Sequence, residues 1–139
     1  MNIDLNKYSE FVEAVISEQS NHTNIWMIRV AELERTARSE GVPLNLALLV
    51  TAGIGLSSEG GEFNEIVKKL LFQGKPYTQD IRYHLKRELG DVIFYWMNAC
   101  RALGYDPNEV IAENVSKLES RYPNGFSVER SENRSAEDI

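Results

Sequence analysis

Two acidic pairs constrain this chain more than any other feature in it. Residues 58–91 read SEGGEFNEIVKKLLFQGKPYTQDIRYHLKRELGD. Glu59 and Glu62 open the stretch, Glu88 and Asp91 close it, and Gly74 and Pro76 interrupt it near the middle. Glycine and proline so close together end a helix and turn the chain. The stretch therefore predicts two helices joined by a turn, each with acids at i and i+3. Residues at that spacing lie on nearly the same side of a helix.

The faces on which these acids fall decide what they mean. At 100° per residue, Leu48, Leu49, Ala52, Leu56, Phe63, Ile66, Val67 and Leu70 make one apolar stripe. Glu59 lies inside that stripe and Glu62 at its border, while Glu65 faces away into water. On the following helix the stripe is Ile81, Leu85, Leu89, Val92, Trp96, Ala99 and Leu103. Glu88 falls inside it and Asp91 at its edge. A carboxylate left uncompensated on a packing face costs several kcal/mol. A lone E-x-x-E is usually just a solvated helix face. Two such pairs on neighbouring helices, each with one member among apolar residues, call instead for a shared cation, and antiparallel packing would make them face each other. Ligation by oxygen alone selects Mg²⁺, Mn²⁺ or Ca²⁺ over zinc. A di-iron bundle would need E-x-x-H. Neither pair has it, and His22 and His84 stand at other spacings. His84, four before Glu88, is either a partner of that acid or a partly exposed helix residue.

The rest of the chain reads as helix too, so the fold class is all-α with about five helices. Leu5, Tyr8, Phe11, Val12, Val15 and Ile16 form a stripe over residues 4–17. A polar break at 20–24 follows, then a helix over 24–39 that Gly41 and Pro43 stop. The first acidic helix covers 44–72 and contains Gly53, Gly55, Gly60 and Gly61. These glycines allow either close helix packing or room for a ligand beside the backbone. The second acidic helix covers 79–103, with Thr78 as its N-cap and Gly104 past its end. Asp106-Pro107-Asn108-Glu109 starts a fifth helix, which runs to about residue 120. The polar composition of 127–139 predicts a disordered tail.

Composition narrows the partners. A chain of 139 residues fits one domain, here residues 1–126 with the 127–139 tail appended. Its net charge of −6 argues against a nucleic-acid duplex or an anionic membrane as main partner. A metal-bound polyphosphate is compatible, because the cation reverses the local sign. One cysteine, Cys100, excludes a disulfide framework and suits a reducing cytoplasm. The start, MNIDLNKYSEF, lacks the basic and apolar regions of a signal peptide. No apolar run approaches ~20 residues, so no membrane span is expected. Ile93, Phe94 and Met97 make residues 92–97 apolar on every side of their helix. Such a helix is covered on every side, which predicts a partner subunit and a symmetric homodimer or homotetramer.

E-x-x-E followed, some two dozen residues later, by E-x-x-D resembles the signature of MazG-like nucleoside triphosphate pyrophosphohydrolases. The resemblance rests on GLSSEGGE at 55–62 and ELGD at 88–91. It continues through Tyr95 and ENVSKLESRYPNGF at 113–126. FQGKP at 72–76 and the terminal Asp138-Ile139 look most like versions carried by phages of cyanobacteria. The resemblance implies an all-α oligomer that cleaves a nucleoside triphosphate to the monophosphate and pyrophosphate with Mg²⁺, or Mn²⁺, as cofactor. It implies Glu59, Glu62, Glu88 and Asp91 as metal ligands, and the phage branch suggests dNTPs such as dGTP or dCTP in a host cytoplasm.

With that resemblance, other residues acquire candidate roles. Glu59, buried on its stripe, is the candidate general base. Asn114, Lys117 and Arg121 share one face; from spacing alone this is a solvated face, and beside the resemblance it becomes a set of phosphate contacts. Tyr95 either reaches the metal side with its hydroxyl or packs in the core. Lys75 is a phosphate ligand or an exposed turn lysine. Trp26 lines a base pocket or packs in a core, and Trp96, mid-stripe, reads as core. Two other readings stand beside this one. The substrate is phosphoribosyl-ATP or an alarmone, or the chain is a non-catalytic helical dimer that binds a nucleotide.

Overall fold

The computed structural model describes residues 4–133. Among the described residues seven helices follow one another: α1 (Leu5–Val15), α2 (Glu18–Asn21), α3 (Thr23–Glu40), α4 (Leu46–Phe72), α5 (Gln79–Leu103), α6 (Pro107–Arg121) and α7 (Val128–Glu132). The described residues contain no strand, as the helical periodicity requires. The five expected helices are all present. The two additions are short: α2 lies in the polar break, and α7 lies where the composition predicts disorder.

Local chemistry sets the helix ends. The Asp4 carboxylate accepts from the backbone N–H groups of Asn6 and Lys7 at 3.0 and 3.3 Å. Thr78 Oγ1 accepts from Ile81 N–H at 3.3 Å, and Asp106 Oδ1 from Asn108 N–H at 2.8 Å. Each satisfies a backbone donor that the first turn leaves open. At the other ends, Gly41 and Gly104 adopt left-handed φ values of 66° and 73°. The next residues, Val42 and Tyr105, then donate back to the carbonyls of Ala37 and Cys100, both at 3.0 Å, which is the closure that glycine permits. In the tail, Ser127 Oγ accepts from Arg130 N–H at 3.4 Å and starts α7. The expected disorder is thus corrected for Val128–Glu132. The Asp138-Ile139 ending lies outside the described residues.

The chain forms two compact units, Met1–Leu46 and Ala47–Ile139. In the first, α2 packs on α3, and Asn21 Nδ2 donates to the Glu13 carbonyl at 3.3 Å. None of α1, α2 or α3 contains a buried residue. The whole α1 stripe, from Leu5 to Ile16, stays exposed.

The second unit holds both acidic pairs. Gly55 of α4 meets Tyr95 of α5, and Glu59, one turn on, meets Glu88 and Asp91. Advancing along α4 means retreating along α5, so the two helices are antiparallel. The α4 stripe is half-buried or buried throughout, from Leu48 to Leu70. Most of the α5 stripe follows suit, but Leu89 does not: it is 54% exposed. Ile93 and Phe94 are also bare, at 57% and 59%. Buried positions on α5 include Ile81, Asn98, Cys100 and Ala102. Asn98 spends its polar atoms locally, with Nδ2 donating to the Phe94 carbonyl at 3.1 Å and Oδ1 accepting from Arg101 at 3.0 Å.

The glycines of α4 now separate. A Cβ at Gly55 would overlap the Tyr95 ring, whereas one at Gly53, Gly60 or Gly61 would meet open space. Close packing is thus the reading for Gly55 alone. Gly55→Ala should lose about 1–3 kcal/mol of stability through overpacking, although alanine is the better helix former. Gly53→Ala should gain up to ~1 kcal/mol. Chemical denaturation of the two variants checks the pair, and equal effects would contradict the contact.

Candidate active site

Antiparallel packing of α4 on α5 does what the two stripes require: it brings acids from both helices to one place. Glu59, Glu88 and Asp91 each offer a carboxylate oxygen, and these oxygens all lie within 4.8 Å of one another. Glu59 and Glu88 are half-buried and Asp91 is exposed. Glu62 stands one turn beyond Glu59, is exposed, and is not a member of this trio. Its charge is still felt at Glu59. Desolvation, then repulsion from Glu62, Asp91 and Glu88, push the Glu59 carboxyl above its ordinary value. Glu65 takes no part. It pairs with Lys68 and, at 3.4 Å, with Lys69. The hydrogen bond from Lys68 leads in holding its carboxyl below the usual range.

The donor set fits a hard divalent cation. Three carboxylates, with no sulfur or imidazole among them, suit Mg²⁺, Mn²⁺ or Ca²⁺. Without a cation they repel one another, and that repulsion adds to desolvation in raising the proton affinity of Glu59. A group whose folded pKa lies above its unfolded one favours the fold fully at pH below the unfolded value. That contribution is lost as pH rises through the folded value. A cation at this site must displace the proton, so its affinity rises over the same interval.

Beside the acids lies an open cleft of about 1150 Å³. One wall is apolar, formed by Leu56 of α4 and Val92, Ile93 and Trp96 of α5. The other is polar and of mixed charge, formed by Glu113, Asn114, Lys117 and Arg121 of α6 with Arg130 of α7 and Asn133 just beyond. Residues 104–106 join α5 to α6, and so short a link makes antiparallel neighbours. Counting outward from it, Asp91 lies about as far along α5 as Glu119 lies along α6. Lys117 and Arg121 therefore stand at the level of the acids. Leu56 is one turn before Glu59 and Val92 directly follows Asp91, so the cleft opens next to the carboxylates.

Of the other candidates, Tyr95 sits in the α4–α5 seam against Gly55, with the Phe94 ring edge-on at 5.1 Å. Lys75 is exposed in the turn between the acidic helices and is not part of the cleft wall. Trp26 is 46% exposed on α3, in the first unit. Trp96 lines the cleft instead of filling a core. Sequence reasoning missed Arg130 and Asn133, because polar composition hid the helix that carries Arg130. Ser127 with Glu129 in the following turn is a helix-start pattern that could have revealed it.

Comparison with known proteins follows the same residues. The MazG nucleotide pyrophosphohydrolase domain matches residues 51–126, which include all four acids and the whole of α6. The Gene 37 protein of Mycobacterium phage L5 is 35% identical over 82 residues, covering 58% of this chain and 72% of that protein. No solved structure matches.

Repulsion among the acids yields a prediction about the protein without metal. In EDTA, Glu59→Gln should melt at a higher temperature than the unaltered protein, because it removes a charge from the cluster. Adding Mg²⁺ should raise the melting temperature of the unaltered protein and move that of the variant much less. Thermal melts with and without Mg²⁺ read both effects; a variant that melts lower in EDTA would show that the acids do not strain one another.

Proposed function

The chain belongs to the MazG nucleotide pyrophosphohydrolase family, and from that membership we propose that it hydrolyses nucleoside triphosphates to the monophosphate and pyrophosphate with Mg²⁺. The observation that carries this reading is the meeting of carboxylate oxygens from Glu59, Glu88 and Asp91, next in sequence to Leu56 and Val92 of a cleft that Lys117, Arg121 and Arg130, with Glu113, also line. An acid cluster alone would suit many proteins. Acids facing lysine and arginine across a cleft suit a metal-bound polyphosphate, which needs both.

Glu59, Glu88 and Asp91 would hold the ion, with Glu62 adding charge from one turn away. Bound there, Mg²⁺ or Mn²⁺ supplies neutralisation of phosphate oxygens and acidifies a coordinated water. Glu59 accepts the proton of the attacking water at a carboxylate oxygen. The water oxygen bonds to the α-phosphorus as the bond to the bridging oxygen breaks, and pyrophosphate departs. Lys117 and Arg121 offset the charge that builds on that leaving group, and Asn114 offers hydrogen bonds beside them. Trp96 gives the base an aromatic face within the cleft, which Trp26, Lys75 and Tyr95 do not line. Deoxynucleotides such as dGTP or dCTP are the proposed substrates, in keeping with a phage relative.

The bare apolar face of α5 supports a homodimer, or a homotetramer, in which a second copy covers Phe94 and Ile93. Phe94→Glu should halve the particle mass measured by light scattering or lower it further, and an unchanged mass would count against this face as the interface.

Pyrophosphate release from a panel of dNTPs and NTPs, with Mg²⁺ or with EDTA, tests the activity. Glu59→Gln and Asp91→Asn should each lose at least ~100-fold in kcat while keeping their helical circular dichroism. Full turnover by either variant, or in EDTA, would sink the metal assignment.

A further inference from the structure

The tail does more than follow the domain, for α7 carries a cation into the cleft. Arg130 lines it together with Lys117 and Arg121. Its guanidinium Nη1 donates to the backbone carbonyl of Arg121 at 3.3 Å. Ser127 fixes the start of α7 by accepting from Arg130 N–H at 3.4 Å, so both the backbone and the side chain of Arg130 are held. A guanidinium has five donors in a rigid fork. One bond to a carbonyl leaves donors for an anion, and its charge is undiminished.

Position along the cleft gives this cation a specific task. Val110, Ile111 and Trp96 lie toward the α5–α6 link and make that end apolar. Lys117 comes further along α6, and Arg121 lies one turn beyond it, about 6 Å by the rise per residue. Arg130 is tied to the Arg121 carbonyl, so it stands away from that apolar end near the α5–α6 link. A nucleotide with its base at the apolar end lays its phosphates along this cationic series, and the terminal phosphate comes last.

We propose that Arg130 binds the terminal phosphate, so that α7 makes the cleft select nucleoside triphosphates over diphosphates. The inference rests on the nucleotide site proposed above, and it adds a basis for counting phosphates that neither the four acids nor the matched residues 51–126 contain. Arg130 lies beyond that match. The charge-assisted, two-pronged contact that arginine makes with phosphate is the kind that discriminates.

Binding separates this proposal from the hydrolytic one. The full chain, with Mg²⁺, is titrated by calorimetry with α,β-methylene dGTP and α,β-methylene dGDP, neither of which can be cleaved between the α- and β-phosphorus. The unaltered protein should bind the triphosphate more tightly. Arg130→Gln should weaken triphosphate binding roughly tenfold to a hundredfold and leave diphosphate binding within about twofold, so the preference collapses. Arg130→Lys, which keeps the charge, should restore part of it. Ser127→Ala, which removes only the α7 cap, should weaken the preference less than Arg130→Gln does. Equal losses for both nucleotides in Arg130→Gln, or no loss for either, would overturn the assignment. So would an unaltered protein that binds neither nucleotide. A protein that binds with the expected pattern yet releases no pyrophosphate from any triphosphate would leave Arg130 in its role and defeat the hydrolase reading instead.

Discussion

Mutual repulsion among carboxylates at the α4–α5 seam is the constraint on which the second unit depends. Helix packing drives Glu59 and Glu88 onto a face that also carries Leu56, Val92 and Trp96. Burial of apolar groups and desolvation of acids thus occur in the same place, with opposite signs. The Glu59 carboxyl registers both effects, first through desolvation and then through its acidic neighbours. A seam of this kind is fully satisfied only when positive charge enters it. A cation bound there would offset that repulsion, so that binding and folding would be coupled.

The helical periodicity made this arrangement legible before any coordinates. Stripes at 100° per residue put Glu59 and Glu88 inside and Glu65 outside; the first two do meet, while Glu65, half-buried like them, pairs with Lys68 and Lys69 instead. Caps and stops were equally plain, because Thr78, Asp106, Gly41 and Gly104 act through bonds to their own neighbourhood. What the sequence left hidden depends on distance along the chain. Nothing local says that Leu89, on the α5 stripe, stays exposed, since that depends on which side α4 and α6 cover. Nothing local says that Glu62 drops out of the closest trio, since its orientation is set by where α5 lies. Trp96 looks like core by its neighbours on α5. It lines a cleft that residues of α6 also line, which its neighbours on α5 cannot reveal.

The tail shows the same limit from another side. A polar composition predicts that a segment cannot bury enough surface to order itself alone. Val128–Glu132 escapes that rule without burying anything, through a serine cap at one end and an arginine bond to a carbonyl of α6. Short polar helices of this kind are held by their attachment to a larger element, and attachment is invisible to composition. Beyond the tail, the exposed faces of α1 and α5 carry apolar residues that a monomeric second or first unit leaves bare.

The approach of Gly55 to the Tyr95 ring has a bearing on the ion itself. That contact lies one helical turn from Glu59 on α4 and one turn from Asp91 on α5. It sets how near the two helix axes come, and through them how wide a gap separates the carboxylates of one helix from those of the other. Carboxylate spacing is then a property of the packing as much as of the acids themselves. An aromatic ring lying on a residue that has no side chain thus spaces two helices whose carboxylates meet one turn away.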